Sequence, residues 1–130
     1  MRKIQCAGRI EATVKVPGSK SYSHRTAIAA ALSNGICYIY NYLISDDTGF
    51  TLKALEELGV SVEKTDEHIR IRGRAGSFDP GPKEIYLGNS GTSMRLLTAV
   101  SALGRGPYRF SGTDRMHQRP IGELLAVLNQ

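Results

Sequence analysis

No apolar run in this sequence approaches the roughly 18 residues that a membrane-spanning helix needs. The N-terminus, MRKIQCAGRIEATV, also lacks the apolar stretch of roughly 7 to 15 residues that marks a secretory signal. Together these absences predict a soluble, cytoplasmic chain. Cysteine is scarce: Cys6 and Cys37 stand far from any CxxC spacing, and with three scattered histidines they offer no zinc arrangement. Both are expected as buried, reduced thiols. Low-complexity tracts are missing, and 41% hydrophobic with 22% charged residues supplies enough apolar material for a core, which excludes disorder and collagen-like repeats. At 130 residues the chain accommodates one domain or part of a larger one, and a second full domain will not fit.

What is present in excess is positive charge, +5 in all, unevenly placed. Residues 1–25 carry six Lys/Arg against Glu11, residues 26–94 carry six against nine acids, and residues 95–130 carry five against Asp114 and Glu123. Positive charge therefore gathers towards both ends, around glycine- and serine-rich segments. A small anionic ligand, nucleic acid or nonspecific surface charge would each account for it. Against nucleic acid, the chain has no sustained basic stripe, and its six tyrosines and three phenylalanines form no stacking platform.

Periodicity predicts a mixed α/β fold. Ala12–Val16 (ATVKV) alternates like a strand, and Pro17–Ser19 breaks it before an alanine-rich helix that stops at Gly35. Ile36–Leu43 is β-branched and aromatic, hence a strand; Ser45, Asp46 and Asp47 then supply N-cap chemistry for a helix through Leu58, stopped by Gly59. VSVEK and HIRIR read as a hairpin turning at Thr65–Glu67, with His68 on its surface. Next come a strand at Glu84–Gly88, a helix from about Gly91 to Leu103, a strand through PYRFS and a last helix with Pro120 at its favoured first position. The element order repeats. A slide of 70 positions aligns Gly18 with Gly88, Ser23 with Ser93, Arg25 with Arg95 and Tyr38 with Tyr108, which together with the repeated order predicts an internal duplication. On that register Gln130 corresponds to Val60, so the second unit stops where its hairpin should begin.

Three segments concentrate candidate chemistry. PGSKSYSHR gathers Lys20, Ser21 and Arg25 at a strand-to-helix turn, where free backbone N–H groups and the helix dipole favour an anion. With only Gly18 before the lysine it is not a GxxxxGK[ST] phosphate loop, which disfavours an ATPase. LGNSGTSMR places Asn89, Gly91 and Thr92 at the equivalent turn, with Arg95 one turn further on, where it serves either a ligand or the structure. TDRMHQRPIGELL offers Arg115 and Arg119, whose guanidinium forks suit carboxylate or phosphate oxygens. Each segment by itself also reads as a capped helix or an exposed basic turn.

In combination, PGSKSYSHR, LGNSGTSMRLL and RMHQRPIGELL resemble the N-terminal part of the 3-phosphoshikimate 1-carboxyvinyltransferase (EPSP synthase) family, in that family's order and roughly its spacing. Leu96 departs from many relatives, which carry proline after the arginine. The resemblance implies transfer of the enolpyruvyl group from phosphoenolpyruvate to the 5-hydroxyl of shikimate 3-phosphate, with no metal or organic cofactor, no nucleic acid and no membrane partner. It implies that Lys20, Ser21 and Arg25 bind shikimate 3-phosphate, that Lys20, Gly91 and Arg119 bind phosphoenolpyruvate, and that Asn89, Thr92, Arg95 and Arg115 support them. It also implies repeated βαβαββ units, here one complete unit and most of a second. Residues 1–19 would then belong to the family's other domain and residues 20–130 to a partial substrate-binding domain. No catalytic residue is expected within this stretch, which should be inactive by itself and could self-associate through an unpaired sheet edge.

Overall fold

Ser19 caps the first helix, α1 (Lys20–Leu32), by accepting the backbone N–H of Tyr22 at 3.5 Å. In the computed structural model, which describes residues 8–130, α1 is followed by β1 (Ile36–Tyr40), α2 (Asp46–Glu57), β2 (Ser61–Lys64) and β3 (His68–Arg72). A second run comprises β4 (Lys83–Tyr86), α3 (Gly91–Ser101), β5 (Tyr108–Ser111), α4 (Asp114–His117) and α5 (Gly122–Leu128). The mixed α/β class is as expected. On the 70-residue register α1 overlies α3 and β1 overlies β5, whereas the counterpart of α2 is divided into α4 and α5. Among the described residues, no helix is long and apolar enough to cross a membrane.

The first run packs two helices on one face of a three-stranded antiparallel sheet of order β1-β3-β2. Its register pairs Ile39 with Ile69 and Cys37 with Ile71, and sets Val62 beside Ile71 on the other side, so one face is apolar. That face meets Ala27, Ala30 and Ala31 of α1 and Leu52 and Leu55 of α2, all buried. Full burial of a leucine contributes about 1.5–3 kcal/mol, enough to make this shared core the main restraint on the two helices. A capping box starts α2: Ser45 Oγ accepts Thr48 N–H at 3.4 Å, and Thr48 Oγ1 accepts Ser45 N–H at 3.0 Å. The hairpin turns where expected, with Thr65 Oγ1 accepting the N–H groups of Glu67 and His68. On the outer face His68 is half-covered by the rings of Tyr38 and Tyr40, at centroid distances of 5.1 and 5.5 Å. In the second run β4 and β5 are parallel neighbours, with α3 as their connection and Ile85, Leu87 and Leu97 in the core.

Ala12–Val16 forms no strand: nothing among the described residues pairs with it, and Val14 and Val16 are 75% and 67% exposed. Alternation marks a face for burial but supplies no ladder partner. The first strand ends at Tyr40 because Asn41 turns left-handed, with φ of +52°. The last helix starts at Gly122, with Pro120 outside it; Arg95 Nη2 donates to the Pro120 carbonyl at 2.6 Å and holds that residue in the preceding turn. Cys37 is a free thiol but only half-buried, with its Sγ 3.5 Å from Ser33 Oγ. Cys6 lies outside the described residues.

Candidate functional site

Three helices begin at one cleft. Lys20 is the first residue of α1, Asp47 the second of α2, and Gly91 and Thr92 the first two of α3; all four line a cavity of about 590 Å³. Helix starts leave backbone N–H groups unpaired and carry the positive end of the macrodipole, so their convergence favours anions before any side chain is considered. Arg25, Arg95 and Arg119 complete the lining with Asn89 and Leu96. Four cations therefore face a single carboxylate, and the surplus attracts negatively charged ligands.

The cations are held in different ways. Lys20 pairs with Asp47 across the cleft, joining the starts of α1 and α2. Arg25 Nη1 turns back on its own helix to the hydroxyl of Ser21 and to the Ser21 carbonyl at 3.2 Å. Arg119 approaches α3 so closely that a Cβ at position 91 would lie 2.5 Å from its Nη1. The absence of that Cβ lets a guanidinium lie against a helix start. Arg95 lines the cleft and also anchors the turn before α5 through Pro120, so both roles open to it in the sequence are present.

Behind the cleft lies a buried polar chain. His24, one turn beyond Lys20, places Nδ1 2.7 Å from Thr51 Oγ1, and Thr51 Oγ1 is 2.7 Å from Ser93 Oγ. Ser93 Oγ in turn meets Ser90 Oγ at 2.6 Å and donates to the Asp47 carbonyl at 3.3 Å. His24, Thr51, Ser90 and Ser93 are all fully buried. Burial pushes the His24 pKa below the ordinary histidine value, reinforced by Lys20 and Arg25 and opposed by Asp47.

Of the residues singled out in the sequence, Lys20, Arg25, Asn89, Gly91, Thr92, Arg95 and Arg119 share the cleft. Ser21 is not part of its lining and touches the site only through Arg25; Arg115 is exposed on α4, also away from the lining. The sequence marks Asp47 only as helix-start capping chemistry beside Asp46, with nothing to signal its place in the cleft. Leu96 lies within α3, where a continuous helix runs from Gly91 to Ser101. His24, Thr51 and Ser93 carried no sequence signal as a group, because 27 and 42 positions separate the partners. Among the described residues, no three His, Cys, Asp or Glu side chains gather as a metal site.

The family model described as EPSP synthase (3-phosphoshikimate 1-carboxyvinyltransferase) matches residues 4–130. The 3-phosphoshikimate 1-carboxyvinyltransferase of Thiobacillus denitrificans is 50% identical over 123 residues, covering 94% of this chain and 29% of its own. The Nitrosomonas europaea protein of the same name is 48% identical over 123 residues, covering 94% and 28%. The solved structure of EPSP synthase from Acinetobacter baumannii superposes with a TM-score of 0.83 at 30% identity, over 89% of this chain and 26% of that one. The chain thus spans under a third of the length of these relatives.

Proposed function

The chain belongs to the EPSP synthase family, and from that membership we propose that the intact protein transfers the enolpyruvyl group of phosphoenolpyruvate to the 5-hydroxyl of shikimate 3-phosphate, releasing inorganic phosphate, as a step of aromatic amino acid biosynthesis in the cytoplasm. The observation that carries the proposal is the cleft where four cations and three helix starts meet. Two anions must lie side by side for this reaction. At about 4 Å and an effective dielectric near 20, each pair of unit charges repels by about 4 kcal/mol, and fixed cations are needed to offset it.

In this reading Lys20 touches both substrates, Ser21 and Arg25 hold shikimate 3-phosphate, and Gly91 and Arg119 hold phosphoenolpyruvate. Asn89, Thr92 and Arg95, which share the cleft, support that shell; Arg115 is assigned to it on the family resemblance, since it lies outside the lining. No metal or organic cofactor takes part. Addition requires a proton delivered to the enol methylene and another removed from the attacking hydroxyl. The one carboxylate in the cleft, Asp47, is paired with Lys20, so these proton transfers are assigned to groups outside this stretch and the 130 residues by themselves should not turn over. Residues 1–19 are assigned to a second domain and residues 20–130 to part of the substrate-binding domain; Ile10, Val14 and Val16 of the first group are exposed, while Gly18 lies against the Asn41 carbonyl and Ser19 caps α1.

Calorimetry on the intact protein tests the site: shikimate 3-phosphate should bind to the wild type and lose most of its affinity in Arg25→Ala. Phosphate release from the two substrates, absent with these 130 residues alone, tests the division of labour; turnover well above background would refute it. Tight, strongly salt-dependent RNA binding in place of both would favour a nucleic-acid role.

A further inference from the structure

We propose that His24 is held as the neutral Nδ1–H tautomer and is a positioning residue, donating the one proton that lets a buried chain tie the three helix starts of the cleft together. Four polar contacts make up the chain: His24 Nδ1 with Thr51 Oγ1, Thr51 Oγ1 with Ser93 Oγ, Ser93 Oγ with Ser90 Oγ, and Ser93 Oγ with the Asp47 carbonyl. Each hydroxyl supplies one proton and a carbonyl supplies none, so Thr51, Ser90 and Ser93 provide three. The fourth comes from the imidazole. Only one assignment makes all four contacts hydrogen bonds: Nδ1–H donates to Thr51, Thr51 to Ser93, Ser90 to Ser93, and Ser93 to the carbonyl of Asp47. Ser93 Oγ then accepts two hydrogen bonds and donates one, which is its full capacity.

The other ring nitrogen agrees with this assignment. Nε2 is buried and has no hydrogen-bond partner among the described residues. The opposite tautomer would place an N–H there and leave one of the four contacts without a proton. A charged ring would add the same unpartnered N–H together with a buried positive charge. Burial, with Lys20 and Arg25, lowers the ring's pKa and Asp47 opposes them, so the net direction agrees with the neutral form.

The placement gives the chain its role. His24 lies one turn from Lys20 on α1, Thr51 one turn from Asp47 on α2, and Ser90 and Ser93 flank Gly91 and Thr92 on α3. Each helix is therefore tied to the next within about one turn of the residue it presents to the cleft. Removing the Nδ1 donor leaves Thr51 with an unfilled acceptor and removes one tie between the start of α1 and those of α2 and α3, so that Lys20 shifts against Gly91 and Arg119 while the apolar core keeps the helices packed.

Two isosteres separate this from a merely structural histidine. In His24→Asn the amide nitrogen takes the place of Nδ1 and donates; in His24→Gln it reaches instead towards Nε2. The affinity comparison rests on the substrate reading above, whereas the tautomer does not. In the intact protein, nitrogen NMR of labelled histidine should show a pyrrole-type Nδ1 and a pyridine-type Nε2 at neutral pH. Well below the melting temperature of either variant, shikimate 3-phosphate affinity should stay within about threefold of wild type in His24→Asn and fall by about tenfold or more in His24→Gln. An Nε2–H or doubly protonated ring, or equal affinities in the two variants, would overturn the proposal. Should the wild type bind no shikimate 3-phosphate, the substrate reading fails, and the same Asn and Gln comparison with inorganic phosphate as probe still decides the role of His24.

Discussion

A single methyl group is enough to disturb the cleft at Gly91. A Cβ there would meet Arg119 Nη1 at 2.5 Å, and because the obstacle is the tip of a flexible side chain, the guanidinium moves while the fold stays. Gly91→Ala should leave the melting temperature nearly unchanged and weaken phosphoenolpyruvate binding by about tenfold, roughly 1.4 kcal/mol, with a smaller effect on shikimate 3-phosphate. Steady-state KM values for the two substrates in the intact protein check this, and an equal loss for both would contradict the assignment of Arg119. At His24 the effect is on pH dependence. Burial, helped by Lys20 and Arg25, lowers its pKa below 6.5, so the unfolded chain takes up a proton that the folded chain refuses. Its stabilising contribution is therefore complete above about pH 6.5 and is lost as pH falls through the lower folded value. Urea denaturation from pH 7.5 down to 5 should show this decline, and His24→Asn should make it shallower. The cationic and glycine positions of the site were legible in the sequence because charge and small size are visible without a fold. Asp47 and His24 were not: a capping aspartate looks the same whether it faces solvent or a lysine from another helix, and a lone histidine gives no sign of burial.

The elements that were legible are those set by neighbours in the chain. Ser19, Ser45 and Ser90 cap α1, α2 and α3 within three residues of their partners, and the β2–β3 hairpin is fixed by Thr65 in its own turn. Local pattern falls short where a distant group decides. Pro120 suits a first helical position, but Arg95, 25 residues away, binds its carbonyl and delays α5 to Gly122. The alternation of Ala12–Val16 was real, yet a strand needs a partner that local pattern does not supply. Gly18 shows how tightly such a distant approach constrains an element. An added Cβ there would collide with the backbone carbonyl of Asn41, which cannot rotate aside as a side chain would. Gly18 also precedes the cap of α1, so the strain would pass directly to Lys20. Gly18→Ala should cost about 1–3 kcal/mol of stability, the scale of overpacking, and weaken shikimate 3-phosphate binding as well. Denaturant titration measures the first and calorimetry the second; unchanged stability would mean that the Asn41 turn yields.

At the scale of the whole molecule, the cleft and the apolar surface belong to one question, namely what covers them. Val14, Val16, Leu125, Val127 and Leu128 are exposed, and β1 and β2 both lie at the edges of their sheet. Soluble proteins rarely leave apolar side chains and open strand edges together without a partner. The chain corresponds to 29% of the Thiobacillus denitrificans relative, so the surfaces that meet these groups in a full-length family member are assigned to the remaining length. Deprived of them, the 130-residue polypeptide should satisfy the same edges with copies of itself. Sedimentation velocity should therefore show concentration-dependent association of this polypeptide, while the intact protein, its edges covered, shows less at equal molarity. The driving force is apolar burial and strand pairing, so association should persist as salt is raised, whereas anion binding in the cleft should weaken as the Debye length falls from about 30 Å at 0.01 M to about 10 Å at 0.1 M. A monodisperse monomer at high concentration would show that these edges protect themselves, and the proposed assignment of residues 1–19 to a second domain would then lose its physical support.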